Sequence, residues 1–340
     1  MGYQGVILGY SKEIVLNPNE KLAVDETGST HYSDRCYEAV EEWKQGTLET
    51  LRMVGSGDFL AVKLTGAGPI AVDAMRARWP MPEVMVKAVD EICAATKEQG
   101  SRLWLDAEQQ ILQRGLDDWA IDIMRKHNCE NTPLIYNTIQ GYLKESKANL
   151  DHHITMAAQE GWSLGIKLVR GAYIEHEVRS LIHDTKEETD QSYDLIADTL
   201  ICQKLPEEAK HLQFPSAALF LATHNAASAA NAIATHQGLL HTKQPTIPLE
   251  CGQIQGMADE LGCELVHNYE QALARSSMFN VTVPKAFKCM AWGSVAECMG
   301  YLHRRAIENR GAVERTHHMA DALRKEVWRR IFARISVDKI

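Results

Sequence analysis

Residues 217–230 read Ala217-Ala218-Leu219-Phe220-Leu221-Ala222-Thr223-His224-Asn225-Ala226-Ala227-Ser228-Ala229-Ala230. Six apolar residues in a row suit a strand buried on both faces. Thr223-His224-Asn225 ends the run, and Asn225 stands where an N-cap precedes an alanine-rich helix. A doubly buried strand running at once into a helix is half of a parallel βαβ unit. The free N–H groups at such a helix start suit a phosphate, and a plain Asn cap explains the same residues equally well.

The unit recurs along the chain. Apolar runs stand at 5–9, 59–64, 102–105, 133–136, 165–170 and 217–222, with weaker ones at 247–254 and 286–291. Helical patterns lie between most of them, as at 117–127 and 150–159. About eight such units predict a (β/α)8 barrel, one domain over 1–340, rather than an open sheet. No GxGxxG or GxxxxGK[ST] follows a strand, which counts against dinucleotide and P-loop folds. The stretches 175–208 and 263–284 are expected to be insertions, the first for its charge.

Composition removes several function classes. The chain has 340 residues, a net charge of −9 and no basic stripe with interleaved aromatics, so no nucleic-acid partner is expected. No apolar run approaches the roughly 18 residues of a membrane helix. The eight cysteines form no CxxC pair and fit reduced, buried thiols. His152-His153 and His317-His318 are neighbours whose side chains diverge on a helix, and no zinc-type spacing occurs, so no metal is expected. The N-terminus opens on the first strand without a signal or transit peptide, as a fragment or shortened form would.

In a barrel the chemistry sits where strands end. Those ends deliver Lys63, Asp106, Asn137, Lys167 with Arg170, Thr223-His224-Asn225, Gln253 with Gln255, and Lys288. One such residue is ordinarily a cap or a snorkelling side chain; their coincidence suggests a site. Cations and amides without paired carboxylates exclude glycoside hydrolysis and suit an anionic organic cofactor with a carboxylate substrate. Gly171-Ala172-Tyr173 after a strand either admits a flat ring to the backbone or is a simple turn. Near the end, Ser294 and Glu297 have capping-box spacing. On the helix they begin, Tyr301, Arg304, Arg305 and Glu308 share a face at about 100° per residue. Twin guanidiniums there suit a carboxylate, while a solvated face with an Arg304–Glu308 pair remains the alternative.

The blocks Lys63, Leu105-Asp106-Ala107-Glu108, Tyr136-Asn137-Thr138-Ile139-Gln140, Lys167-Leu168-Val169-Arg170-Gly171-Ala172-Tyr173, Ala222-Thr223-His224-Asn225, Gln253-Ile254-Gln255-Gly256-Met257, Trp292-Gly293-Ser294 and Arg304-Arg305-x-x-Glu308-Asn309 occur in an order that resembles the proline dehydrogenase family, in its fungal mitochondrial form, over about residues 5–315. The resemblance implies a distorted TIM-like barrel with its last helix over the mouth, FAD at the strand C-termini, oxidation of L-proline to Δ1-pyrroline-5-carboxylate, a quinone acceptor, mitochondrial location and peripheral membrane association. It implies that Arg304 and Arg305 clamp the substrate carboxylate beside Lys63. Asp106 and Tyr173 would lie in the active site and Ile254 in the pocket wall. Asn137, Lys167, Val169, Gly171, Ala172, Thr223, His224, Asn225 and Glu308 would contact flavin, Lys167 near N5.

One departure bears on specificity: Cys289 stands where the family has a substrate-contacting tyrosine. A roomier pocket for hydroxyproline or another cyclic amino acid is one consequence, and drift with proline activity kept is the other. Longer family members also carry helices and a targeting segment before the first strand, so import rests on resemblance alone. A non-catalytic, flavin-binding paralogue is the remaining alternative, against which Lys63, Asp106, Arg304 and Arg305 all stand intact.

Overall fold

The computed structural model describes residues 2–14, 32–174, 177–275, 283–308, 324, 327 and 328, with the side chains of Arg275, Arg304 and Glu308 left out. The chain divides into two compact units, Met1–Gly293 and Ser294–Ile340.

The first unit is a closed ring of eight parallel strands. They are β1 (Gly5–Tyr10), β2 (Phe59–Val62), β3 (Arg102–Leu105), β4 (Ile135–Gln140), β5 (Leu164–Val169), β6 (Ala217–Ala222), β7 (Leu249–Ile254) and β8 (Lys285–Trp292). Helices α1 (Asp34–Met53), α2 (Pro69–Ala77), α3 (Glu83–Gln99), α4 (Gln110–His127), α5 (Ser146–Glu160), α6 (Lys186–Ile201), α7 (Ala226–His241) and α8 (Asp259–Arg275) connect them. The expected (β/α)8 barrel is therefore present. The supposed insertions are not insertions. Residues 175–208 contain α6 and 263–284 contain most of α8, each the crossover its strand pair requires. Their charge marks a solvated helix face; 276–282 lie outside the described residues.

Strand register decides which side chains enter the barrel. Ile7 aligns with Phe59, Trp104 with Tyr136 and Gly252 with Phe287. Ile7, Phe59, Trp104, Tyr136 and Phe287, with Ala61, Ala218 and Phe220, form the inner cluster. Rings of Phe59 and Trp104 stack at 5.1 Å, and Phe220 meets Trp104 edge-on at 5.0 Å. Each such pair adds about 0.5–1.5 kcal/mol beyond burial. The interior is thus a filled core, and in barrels filled this way ligands bind at the strand C-termini. Intervening residues such as Leu103, Leu105, Ile166 and Leu219 face the helices and build the main core.

One helix contact needs glycine. A β-carbon on Gly115 of α4 would fall on the backbone carbonyl of Met75 in α2. Gly115→Ala is expected to force the two helices apart and cost about 1–3 kcal/mol in urea unfolding; an unchanged midpoint would show that the packing relaxes freely.

The second unit contributes α9 (Val295–Glu308). The expected capping box is formed: Ser294 N and Oγ both donate to Glu297 Oε2 at 2.7 Å, and Glu297 N donates to Ser294 Oγ at 3.3 Å.

Candidate active site

Counting inward positions along each strand leads to one ring of side chains at the mouth. Phe59 and Ala61 point inward, so Lys63 does too; Arg102 and Trp104 lead to Asp106; Gly165 leads to Lys167 and Val169. Asp106 sits between two ammoniums, in contact with Lys167 and 3.4 Å from Lys63. The Lys167 ammonium also lies 4.1 Å above the Trp104 ring. Lys63 donates to the Tyr173 hydroxyl at 3.3 Å and lies 3.3 Å from Glu13 Oε2. Tyr173 in turn donates to Glu108 Oε2 at 3.5 Å.

The electrostatics follow from these contacts. Burial pushes the Asp106 carboxyl upward, but Lys167 and Lys63 outweigh it and hold the group well below the usual carboxylate range. Burial likewise works against the Lys63 ammonium, yet Tyr173, Asp106, Glu13 and Glu108 together raise it well above its ordinary value. Glu108 behaves oppositely. Burial dominates and pushes its carboxyl up to about 7, Lys63 opposing and Glu13 reinforcing, while hydrogen bonds from Thr65 oppose.

A second cluster occupies the N-terminus of α7. Arg170 donates to Asp190 at 2.9 Å, to Thr223 Oγ1 at 2.8 Å and to Ser228 Oγ at 2.9 Å. Asn225 is the N-cap, its Oδ1 accepting from Ser228 N at 3.2 Å. A guanidinium, two hydroxyls and a helix start together suit a phosphate group. His224 Nε2 accepts from Ile254 N at 3.2 Å and so links the ends of β6 and β7. Ile254 and Cys289 are register partners with inward phase, and Cys289 packs on the inner aromatic cluster.

Several expected members lie elsewhere. Asn137 is outward on β4. Its amide donates to Asp117 of α4 at 2.9 Å and meets His153 of α5 at 3.0 Å, inside the helix layer rather than at the mouth. The cause is the strand end: β4 runs on to Gln140, and Gln140 is its mouth residue. Lys288 is also outward, 2.7 Å from Asp259 of α8, and Gln253 shares its phase. A β-carbon on Gly171 would strike the Tyr142 ring, so packing against that ring already requires glycine here. Ala172 N donates to Gln140 Oε1 at 3.3 Å. On α9, the Arg305 guanidinium lies 5.4 Å from the Tyr301 ring centroid. The Arg304 and Glu308 side chains lie outside those described.

Glu13, Glu108 and Gln140 are the mouth residues that strand-end reading passed over. Glu108 and Gln140 each follow an inward residue by two, a phase rule that would have found them; Glu13 lies in a loop with no periodicity to read.

Against known proteins, the profile of the proline dehydrogenase family matches residues 6–318. The chain belongs to that family. It is 33% identical over 255 residues to a probable mitochondrial proline dehydrogenase of Schizosaccharomyces pombe, covering 72% of this chain and 49% of that one. It is 31% identical over 256 residues to the mitochondrial proline dehydrogenase 1 of Homo sapiens, covering 73% and 39%. The chain thus spans about half or less of these relatives. The structure of proline utilization A from Bdellovibrio bacteriovorus superposes with a TM-score of 0.65 at 16% identity, over 91% of this chain and 30% of that one, which shows a shared fold.

Proposed function

We propose that this member of the proline dehydrogenase family oxidises L-proline to Δ1-pyrroline-5-carboxylate with bound FAD and passes the electrons to a quinone, in mitochondria as its relatives are named. The observation that carries this reading is the Lys63–Asp106–Lys167 cluster on the filled barrel, beside the Arg170–Thr223–Ser228 cluster.

The donor chemistry fits FAD. Arg170, Thr223 and the capped start of α7 would hold the diphosphate, and Lys167, Val169 and Gln140 would border the isoalloxazine. When bound, the flavin supplies acceptance of a hydride and its two electrons. Lys167 would place positive charge where the ring gains negative charge. Arg304 and Arg305 are the expected carboxylate ligands. Carbon–hydrogen cleavage next to nitrogen needs a neutral amine, and because Asp106 and Glu13 offset the Lys63 and Lys167 ammoniums, the site needs a group that takes up the substrate ammonium proton. Asn137 holds the helix layer and has no place in this set.

Purified protein should be yellow and should bleach anaerobically on addition of L-proline. A yellow protein that no cyclic amino acid bleaches would contradict the reading and favour a non-catalytic flavin binder.

Cys289 supports a second reading. It lies inward beside Ile254, and its side chain is smaller than the tyrosine the family carries at that position. Cys289→Tyr is expected to lower kcat/KM for trans-4-hydroxy-L-proline about tenfold relative to L-proline, a difference worth roughly 1.4 kcal/mol. An unchanged ratio would remove hydroxyproline from consideration.

A further inference from the structure

We propose that Glu108 is the proton sink of the site, receiving the substrate ammonium proton through Lys63 and Tyr173. This inference rests on the imino-acid oxidation proposed above and adds a positioning residue to it.

The hydrogen bonds already point the required way. Lys63 donates to Tyr173 at 3.3 Å and Tyr173 donates to Glu108 at 3.5 Å, so each donor faces the next acceptor inward from the mouth. Glu108 is 1% exposed. Its described partners are neutral: Thr65 N and Oγ1 donate to Oε1 at 3.2 and 3.0 Å, and Gln113 and Gln140 hold its backbone N–H and carbonyl. Lys63 from the end of β2 and Glu13 from the loop after β1 are the charged groups acting on it, with opposite sign. A buried carboxyl beside neutral donors and one residue removed from a cation can exchange its proton near neutrality. Asp106 cannot serve, because two ammoniums hold it ionised.

The proton balance is closed. Lys63 passes one N–H proton to Tyr173 Oη as Tyr173 passes its own to Glu108 Oε2. The lone pair left on Lys63 Nζ takes the proton of the substrate ammonium. Lys63 and Tyr173 end as they began, the amine is neutral and Glu108 is a carboxylic acid. The chain is used only to hold and move a proton.

The test compares wild type, Glu108→Gln and Tyr173→Phe. In wild type, kcat/KM for L-proline should rise through about pH 7 and then level off, because ionised Glu108 takes the proton. In both variants the reaction must await free amine already neutral in solution. Their kcat/KM should then be about 10²-fold lower at pH 8 and keep climbing tenfold per pH unit into the alkaline range. Affinity of Glu108→Gln for cyclopentanecarboxylate, which has no proton to give, should match that of wild type. Infrared difference spectra should show a carboxyl titration near neutrality that wild type and Tyr173→Phe share and Glu108→Gln lacks. Should Glu108→Gln fail to fold, Tyr173→Phe carries the test alone. A wild-type profile that survives in the folded variants overturns this inference and leaves the oxidation standing. A wild type that no imino acid reduces overturns both.

Discussion

Asp106→Asn is expected to lower stability by about 3 kcal/mol, the lower end for breaking a buried ion pair because Asp106 retains some exposure. Asp106 separates Lys63 from Lys167, and its loss leaves two ammoniums facing each other over the inner aromatic rings. A fall in Tm of roughly 4 °C should follow for a chain of this size. The sign with pH is fixed. The folded carboxyl is held below its unfolded value, so its contribution is present above the ordinary aspartate range near 3.9 and is lost only as pH falls through the folded value. Urea unfolding of both proteins should therefore show a constant gap from about pH 8 to 5 that closes in stronger acid. A gap that opens in acid would contradict the charge arrangement. Oxidation of L-proline by the folded variant should fall about 10²–10³-fold, since the two cations lose the group that positions them.

The second large effect lies at the opposite end of the barrel. Arg102 and Glu250 both point inward and pair across the floor, Nη1 to Oε2 at 2.5 Å, with side chains 18% and 15% exposed. The guanidinium lies 3.9 Å from the Phe59 ring centroid. Arg102→Met would strand the Glu250 carboxylate beneath that ring and is expected to cost about 3–5 kcal/mol. The double variant Arg102→Met with Glu250→Leu should recover most of the loss, because an apolar pair of similar volume can replace a buried ion pair. Chemical denaturation of the four proteins in a double-mutant cycle measures this. Additive losses would show that the two charges do not depend on each other.

These two pairs also show how far the chain can be read without coordinates. Strands buried on both faces write themselves as apolar runs, and so Phe59–Val62, Arg102–Leu105 and Ala217–Ala222 stand where the runs do. Lys63, Asp106 and Lys167 were legible because each shares the inward phase of its strand. β4 extends beyond its apolar run because its last four residues are Asn137, Thr138, Ile139 and Gln140. Polar residues there are buried only because α4, α5 and the mouth supply partners, and hydrophobic periodicity does not carry that information. The same limit moved Lys288 and Gln253 to the wrong side: an apolar run gives a strand but not its phase, which comes from pairing with the next strand. Residues 175–208 looked foreign for their charge, but α6 is an ordinary crossover helix with Glu187, Glu188, Asp190 and Asp194 along it. Glu13 belongs to a loop whose place is set by tertiary packing alone.

The central claim is that cations at the barrel mouth hold an imino acid against a flavin. A crystal structure of the FAD-loaded protein with cyclopentanecarboxylate, a ring carboxylate without an oxidisable carbon–nitrogen bond, tests it most directly. The ring is predicted to lie above Trp104, walled by Lys63, Asp106, Ile254 and Cys289, with the flavin beside Lys167. A ligand bound on the outer helix layer, or a mouth too filled by side chains to admit it, would contradict the claim.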